Sequence, residues 1–255
     1  MCMLFGFNSK KRYEIRGPIN AFMNESVNHP HGWGMALYDK RDKLPLIIKE
    51  PVPAYRSSFL NEHLESVTTR LCIAHIRYKT YGNVSYTNTH PFIQKVRGTD
   101  WIVAHNGSVD YTKFAYKLER RTQGETDSEK VSCYIADMLD KLPNEHTDQD
   151  IIKCVERSVN ELAKYGKLNL MITNGEVLFV HTNCESTLYM QEAQDAVLLC
   201  TKPLTSGRWK CVPMNRILVF KDGSQIYEGK PHNAQYYKPV EIRQVVNEGR
   251  YPWWN

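Results

Sequence analysis

The positions of apolar residues predict strands in the first half of the chain, helices in the middle and strands again in the last third. Four apolar runs predict the early strands: CMLFGF, GWGMALYD, RLCIAHIRY and DWIVAHNG. GWGMALYD is expected to pair with LPLIIKEP through a turn at KRDK. The segment KTYGNVSYTNTHPF lies between two of these strands and is long and irregular. Such segments between core strands are often functional.

The middle of the chain carries two helical patterns. One apolar stripe includes Val131 and Ile135. The other includes Val155 and Val159 and ends at a Gly166 stop signal. Five apolar runs then predict strands: KLNLMIT, EVLFVHT, AVLLCT, RILVFKDG and SQIYEG. Asn-Gly and Asp-Gly dipeptides between these runs favour hairpin turns. This order predicts sheets with helices packed outside them, and antiparallel pairing at least in the later part.

The composition fits one large globular unit. The chain has 255 residues, 42% of them hydrophobic and 24% charged, so a sizeable core is available. The net charge of +5 is mild and the basic runs KKR and ERR are short, which disfavours a nucleic-acid-binding protein. No apolar run reaches the ~18 residues of a membrane-spanning helix, and the N-terminus lacks a signal-peptide pattern. We therefore expect neither nucleic acid nor membrane as a partner.

The predicted strands and helices end near residue 232. We therefore assign residues 1–232 to one domain and residues 233–255 to a C-terminal tail. The tail has no clear period and ends in YPWWN, and we expect its aromatic residues Tyr251, Trp253 and Trp254 to contact the core or a partner protein.

The cysteines indicate a reducing compartment. There are seven, none of them in a C-x-x-C pair, and several lie inside apolar runs. This usage is typical of reduced thiols in a cytoplasm. The nine histidines are scattered, and the close pair in HPH lies beside a glycine turn, so we expect no metal site.

Cys2 directly follows the initiator methionine, and its position leaves two interpretations open. It is either a small apolar residue at the start of an edge strand or a nucleophile that removal of Met1 would expose. Nucleophilic attack needs the thiolate, whereas a free thiol has a pKa of about 8.5. A terminal cysteine carries its own α-amine, with a pKa of about 7.7–8.0, which can take the thiol proton.

Two motifs at strand ends also allow a structural and a chemical interpretation. Arg77 ends an apolar strand, where it forms either a surface ion pair or a two-armed clamp on a carboxylate. Thr80 would add a donor to such a clamp. Asn106 and Gly107 form either a hairpin turn or the two donors of an oxyanion hole.

The run GETDSEKV predicts a helix start. Thr126 and Glu129 have the spacing of a capping box, and Asp127 in the first turn suits the helix dipole. A start fixed in this way would also hold the Asp127 carboxylate ready for an ammonium group. Arg77 would bind a carboxylate, the oxyanion hole would bind a developing oxyanion, and the thiol would attack a carbonyl. Together with an ammonium at Asp127, these groups fit an α-amino acid with an amide at its far end.

The ordered motifs MC…GF, HGWGMALY, AHIRYKTYG, NTHPF, VAHNG and GETDSE resemble the class II glutamine amidotransferase domain of the N-terminal nucleophile hydrolases. The similarity spans roughly residues 2–230 and is greatest to the small stand-alone bacterial type. It implies an α+β fold, a four-layer α/β/β/α sandwich of two mainly antiparallel sheets. It also implies attack on the glutamine γ-amide, a γ-glutamyl thioester, release of ammonia and hydrolysis to glutamate.

The resemblance implies a role for each motif residue. Cys2 would be the nucleophile and its amine the base, and Asn106 with Gly107 would form the oxyanion hole. Arg77 would bind the α-carboxylate and Asp127 the α-ammonium. Thr80 and His90 carry over as substrate-binding residues, although a plain structural histidine before Pro91 fits equally well. The sequence departs from the family at Tyr78 and Tyr81, where synthase-coupled members often carry Trp and His.

The resemblance leaves the substrate and the partners open. The sandwich would use the chain up to about residue 230, so we expect no synthase domain and no cofactor. Glutamine is the expected small-molecule substrate, and a larger γ-glutamyl amide or peptide is the alternative. The domain would act alone, as a homo-oligomer, or as a subunit that needs a separate synthetase. A domain that only binds is disfavoured, because the motif residues are all present.

Overall fold

The computed structural model describes residues 2–39, 44–63 and 67–238. The strands are β1 (Met3–Glu14), β2 (Trp33–Tyr38), β3 (Leu46–Glu50), β4 (Thr68–Ile76), β5 (Phe92–Val96), β6 (Thr99–Val109), β7 (Gly166–Thr173), β8 (Leu178–Thr182), β9 (Tyr189–Glu192), β10 (Ala196–Cys200), β11 (Lys210–Cys211), β12 (Arg216–Lys221) and β13 (Ser224–Glu228). The helices are α1 (Arg16–Asn24), α2 (Ser58–His63), α3 (Asp127–Asp140) and α4 (Asp148–Leu162).

These strands form two antiparallel sheets. The first has seven strands in the order β11-β9-β10-β1-β4-β2-β3, and the second has six in the order β13-β12-β8-β7-β6-β5. β1 lies in the middle of the first sheet between β10 and β4. β6 pairs with β7 in the second sheet.

Alternation along the strands separates the layers, because successive side chains point to opposite faces of a sheet. Phe5 and Ala74 share a core with Phe22 of α1, on the outer face of the seven-stranded sheet. Their chain neighbours Leu4 and Ile73 belong to a second core between the two sheets. Full burial of one such large side chain contributes about 1.5–3 kcal/mol to stability.

The other outer layer is made by α3 and α4. Val131 of α3 and Val159 of α4 pack with Leu168 and Leu170 of β7 in a third core. The order of layers is therefore helix, sheet, sheet and helix, which confirms the predicted four-layer α+β sandwich.

The predicted turns differ in outcome. Gly175 and Gly223 both have positive φ and lie in the hairpins β7–β8 and β12–β13, as their dipeptides indicated. The hairpin interpretation of Asn106–Gly107 is wrong, because β6 continues through both residues and pairs with β7. A side chain at Gly107 would place its Cβ 1.8 Å from the Lys167 carbonyl oxygen, so close backbone approach explains this glycine.

Some elements have no counterpart in the predictions: α1, α2, β5, β9 and β11. β2 and β3 pair as predicted, and the KRDK turn lies outside the described residues. The first tail residues return to the domain, since the Tyr236 N–H donates to the Asn183 carbonyl over 2.7 Å. The aromatic residues of YPWWN lie outside the described residues, and the boundary near residue 232 stays a prediction.

Candidate active site

Cys2 and Arg77 lie side by side at neighbouring strand ends. β1 begins at Met3, which pairs with Ile76 at the end of the antiparallel β4. The residue before β1 therefore meets the residue after β4. The Cys2 Sγ lies 3.3 Å from both the backbone N–H and the carbonyl oxygen of Tyr78. Cys2 is thus at the end of a central strand rather than an edge strand.

The environment of the Cys2 thiol favours its protonated form. Burial raises the pKa of the Cys2 thiol, while the hydrogen bond from Tyr78 and the positive charge of Arg77 act in the opposite direction. The side chain nevertheless keeps partial solvent exposure. A base is therefore needed to generate the thiolate at neutral pH.

Arg77 does not form the surface ion pair that one interpretation suggested. Its side chain is 3% exposed. One guanidinium nitrogen donates to the Asn83 carbonyl over 2.8 Å and another to the Tyr81 carbonyl over 2.9 Å. Because a guanidinium has five N–H donors, the group can still receive a carboxylate.

Asn106 carries a buried donor with no partner. Its side chain is 2% exposed, and its Nδ2 makes no hydrogen bond within the part of the chain that the structure describes. Leaving a buried donor unsatisfied costs about 1–3 kcal/mol. Ala104, two residues earlier on the same strand, belongs to the core between the sheets, so alternation places Asn106 on that face. A donor held unpaired there is available to an acceptor on a ligand.

Asp127 begins α3 and is attached to the strand that carries Asn106. Its Oδ2 accepts from the Val109 N–H over 2.8 Å, and its Oδ1 accepts from the Ser128 N–H over 2.9 Å. Val109 is the last residue of β6. The carboxylate and Asn106 are therefore positioned by the same strand.

The capping box predicted at this helix start is only half formed. The Thr126 hydroxyl accepts from the Glu129 N–H over 3.2 Å, as the motif requires. The Glu129 carboxylate instead accepts from the Gln123 and Gly124 N–H groups, each over 2.7 Å. Glu129 thus fixes the loop that leads into α3 rather than the cap residue itself.

Thr80 and His90 lie in different surroundings. Thr80 is exposed in the loop after Arg77. His90 is buried and stacks on His75, with 3.9 Å between the ring centroids. Burial lowers the pKa of both histidines well below its usual value. The structure therefore brings Cys2 and Arg77 together, and it leaves His90 in a packed, neutral environment.

Sequence reasoning missed polar residues of the site region. Lys167 and Asn169 alternate with Leu168 and Leu170 on β7, and all four are buried. Burial lowers the pKa of Lys167, and the neighbouring Cys184 and Cys2 thiols act in the opposite direction. Polar residues at every second position of a strand with two buried faces were the signal that could have identified them.

The described residues hold no cluster of three or more His, Cys, Asp or Glu side chains suited to a metal ion. Within the same ranges, no helix is both long and apolar enough to cross a membrane.

Residues 1–194 match the family described as glutamine amidotransferases, class II. A putative glutamine amidotransferase of Haemophilus influenzae is 27% identical over 92% of this chain and 90% of its own length. An uncharacterized protein of Methanocaldococcus jannaschii is 29% identical over 90% of this chain and 72% of its own. A probable glutamine amidotransferase of Saccharomyces cerevisiae, DUG3, is 26% identical over 93% and 80%.

Solved structures share the fold. A predicted glutamine amidotransferase from Pseudomonas aeruginosa superimposes with a TM-score of 0.65 and 21% identity, over 89% of this chain and all of that one. Glutamine phosphoribosylpyrophosphate amidotransferase from B. subtilis gives a TM-score of 0.69 and 18% identity, over 90% of this chain and 49% of that one. With the family match over three quarters of its length, the chain belongs to the class II glutamine amidotransferases and has their N-terminal nucleophile hydrolase fold.

Proposed function

We propose that this protein hydrolyses the γ-amide of glutamine through a γ-glutamyl thioester on Cys2, releasing ammonia and glutamate. One observation carries the proposal. A buried amide donor, the Asn106 Nδ2, lacks a partner among the described residues on a strand whose end is hydrogen-bonded to Asp127. An amide carbonyl held by its amino-acid head group would supply the missing acceptor.

The chemistry would begin with removal of Met1, which makes the Cys2 α-amine the base. The amine takes the thiol proton, and the thiolate attacks the γ-carbonyl carbon. The developing oxyanion accepts hydrogen bonds from the Asn106 side chain and the Gly107 N–H. Collapse of the intermediate breaks the C–N bond, and the proton passes from the amine to the departing ammonia. Water then attacks the thioester, giving glutamate and the free thiol.

The substrate head group would lie between Arg77 and Asp127. Arg77 binds the α-carboxylate with the guanidinium N–H groups that the loop carbonyls leave free. Asp127 binds the α-ammonium with its remaining lone pairs. Thr80 would donate a hydrogen bond to the substrate from the loop after Arg77, and the buried His90 would pack beneath that loop and hold it in place.

A larger γ-glutamyl amide is the second candidate substrate, and the rim of the site favours it. Tyr78 and Tyr81 are 43% and 59% exposed at the mouth of the site. Exposed aromatic rings offer apolar area to a leaving group bulkier than ammonia. Under either substrate, a separate synthetase remains a proposed partner for the released amine.

The decisive experiment is glutamate release from glutamine by protein whose N-terminus has been confirmed by mass as Cys2. We expect turnover that disappears in Cys2→Ala. Cys211→Ala is the matched control, because Cys211 is an exposed thiol on β11. Activity retained by Cys2→Ala would disprove the mechanism. If processed wild-type protein turns over only larger γ-glutamyl amides, the second substrate class replaces the first.

A further inference from the structure

Asn88 joins the loop that carries Arg77 to the segment that precedes Asp127. Its side chain is 1% exposed. Its Nδ2 donates to the Asn83 carbonyl and to the Glu125 Oε2, each over 3.1 Å. Its Oδ1 accepts from the Glu125 N–H over 2.8 Å. Both side-chain N–H groups and the side-chain oxygen of the buried Asn88 thus form hydrogen bonds.

Glu125 closes this arrangement from the other side. Its Oε2 also accepts from the Asn83 N–H over 2.8 Å. The Asn83 backbone is therefore hydrogen-bonded on both sides of its Cα. Its N–H donates to Glu125, and its carbonyl accepts from Asn88 and Arg77. We call the set Asn83, Asn88 and Glu125 the clasp.

The backbone at two glycines packs closely against the Asn88 amide. A Cβ at Gly124 would lie 2.4 Å from the Asn88 Oδ1 and 2.8 Å from the Thr87 carbonyl oxygen. Gly82 has a φ of +72°, and a Cβ there would lie 3.2 Å from the Asn88 Nδ2. Both glycines let the backbone approach the Asn88 amide closely.

The clasp connects two groups that the proposed function assigns to the substrate head group. Arg77 donates to Asn83, Asn83 is bound to Glu125, and Glu125 stands two residues before Asp127. The α-carboxylate and α-ammonium of an amino acid are bonded to one carbon atom, so their binding groups must stand at one fixed separation. Displacing either binding group would therefore weaken the binding of the whole head group.

We propose that Asn88 is a positioning residue, which rests on the proposed function: through the clasp it sets the separation of Arg77 and Asp127, so that the site selects substrates with a free α-amino acid head group. The hydrogen bonds of the Asn88 amide carry the effect. Asn88 is buried with its amide fully engaged, so its replacement leaves several partners unsatisfied.

The test measures head-group discrimination without chemistry. Cys2→Ala protein is titrated calorimetrically with L-glutamate and with glutarate, which lacks the α-ammonium. The titration is repeated with Asn88→Asp added, because aspartate matches asparagine in size but removes both donors and faces the Glu125 carboxylate. We expect the ratio of the two affinities to fall by roughly tenfold or more.

Two further variants keep the test decisive. Glu125→Ala changes an exposed side chain, so it should fold even if Asn88→Asp does not, and it should lower the ratio in the same direction. Asn233→Asp makes the same exchange as Asn88→Asp at an exposed position far along the chain, and it should leave the ratio unchanged.

A turnover measurement supplies a second readout. For processed protein with an intact Cys2, the Asn88→Asp exchange should raise KM for L-γ-glutamyl p-nitroanilide by roughly tenfold and change kcat much less, as expected for a residue that acts through ground-state positioning. A fall in kcat with KM unchanged would contradict a positioning role.

The outcomes separate the two proposals. Loss of discrimination in the clasp variants, with no turnover of any γ-glutamyl amide by processed wild-type protein, supports the clasp and rejects the proposed function. Discrimination at the wild-type level in folded Asn88→Asp and Glu125→Ala rejects the clasp, whatever the turnover. Failure of Cys2→Ala to bind L-glutamate would overturn both.

Discussion

Two sides of the candidate site are built in different ways. On the β6 side, Asn106 and Gly107 lie within a paired strand, and the Gly107 backbone is pressed against Lys167. On the loop side, Arg77 is held through carbonyl groups of an irregular segment. Sheet register fixes the first side, whereas side-chain hydrogen bonds fix the second. Under the proposed function, the oxyanion donors Asn106 and Gly107 are on the rigid side, whereas Cys2 lies beside Arg77 on the side held by side-chain hydrogen bonds.

The largest effect should come from a change to the rigid side itself. Gly107→Ala places a Cβ 1.8 Å from the Lys167 carbonyl oxygen, so β6 and β7 must separate. We expect loss of activity together with lower stability, measured as a reduced urea midpoint. Gly98→Ala is the control, because nothing lies within 4 Å of a Cβ there. Gly98 has a positive φ, so Gly98→Ala adds backbone strain without a steric clash, which makes it a strict control. A Gly107→Ala protein as stable as wild type would show that β6 and β7 can separate without loss of stability.

Removing the unpaired donor should affect the rate alone. Under the proposed function, Asn106→Ala deletes a transition-state donor, so we expect kcat to fall by roughly 10²–10³-fold with little change in KM. Stability should not fall by the amount usual for a buried hydrogen bond, because Nδ2 has no partner within the described residues. Steady-state kinetics with urea titration measures both. A rise in KM with kcat unchanged would remove Asn106 from the oxyanion hole.

Asp127→Asn should act mainly on binding. A hydrogen bond to a charged group contributes about 1.5–3 kcal/mol, which corresponds to a rise in KM of roughly 10- to 150-fold. Asp148→Asn is the matched control, because Asp148 is the exposed first residue of α4. If Asp127→Asn and Asn106→Ala raised KM equally, the division of roles between Asp127 and Asn106 would be wrong.

A fall in pH should lower the stability of the packed layers before it affects the clasp. Burial lowers the pKa of His75, His90 and His105 in the packed layers. Near and below pH 6.5, the unfolded chain therefore binds more protons than the folded chain. The free energy of unfolding should therefore fall as pH drops below about 6.5, by up to about 1.4 kcal/mol per pH unit for each histidine. Urea titrations at pH 7, 6 and 5 measure this slope.

The loop side should respond at lower pH. Hydrogen bonds from Asn83 and Asn88 lower the pKa of Glu125 from its ordinary value of 4.5. The clasp therefore stays intact above that value and is lost only as pH falls through the lowered pKa. The protection factor of the Asn83 amide against hydrogen exchange should remain unchanged at pH 5, where the packed layers have already lost stability. A protection factor that is lower at pH 5 than at pH 7 would contradict this order.

The sequence carried much of the fold because the strands alternate clearly and both correct hairpins have glycine where φ must be positive. The local signal at Gly107 differs from the structure for a physical reason. The Asn-Gly signal for a turn is local, whereas the close approach of Lys167 comes from a strand about sixty residues later. The helix α1 has no clear signal in the sequence, because RGPINAFMN has Gly-Pro at its second and third positions and is only 9 residues long.

The candidate site shows the same limit. Cys2, Arg77 and Asp127 stand at strand ends or at a helix start, and Asn106 lies within the apolar run of β6. Local patterns are informative at these positions. Asn88 and Glu125 are 37 residues apart, and neither lies in a periodic segment that would predict their contact. Contacts between two loops leave no local trace in the residues that make them, so they emerge only from the folded chain.

The hydrogen bond between the Asp127 carboxylate and the Val109 N–H has a consequence for inhibitor design. Under the proposed function, it fixes the separation between the Asn106 donor and the Asp127 carboxylate that would bind the α-ammonium, because β6 positions both groups. An electrophilic glutamine analogue should therefore keep its amine and its chain length unchanged.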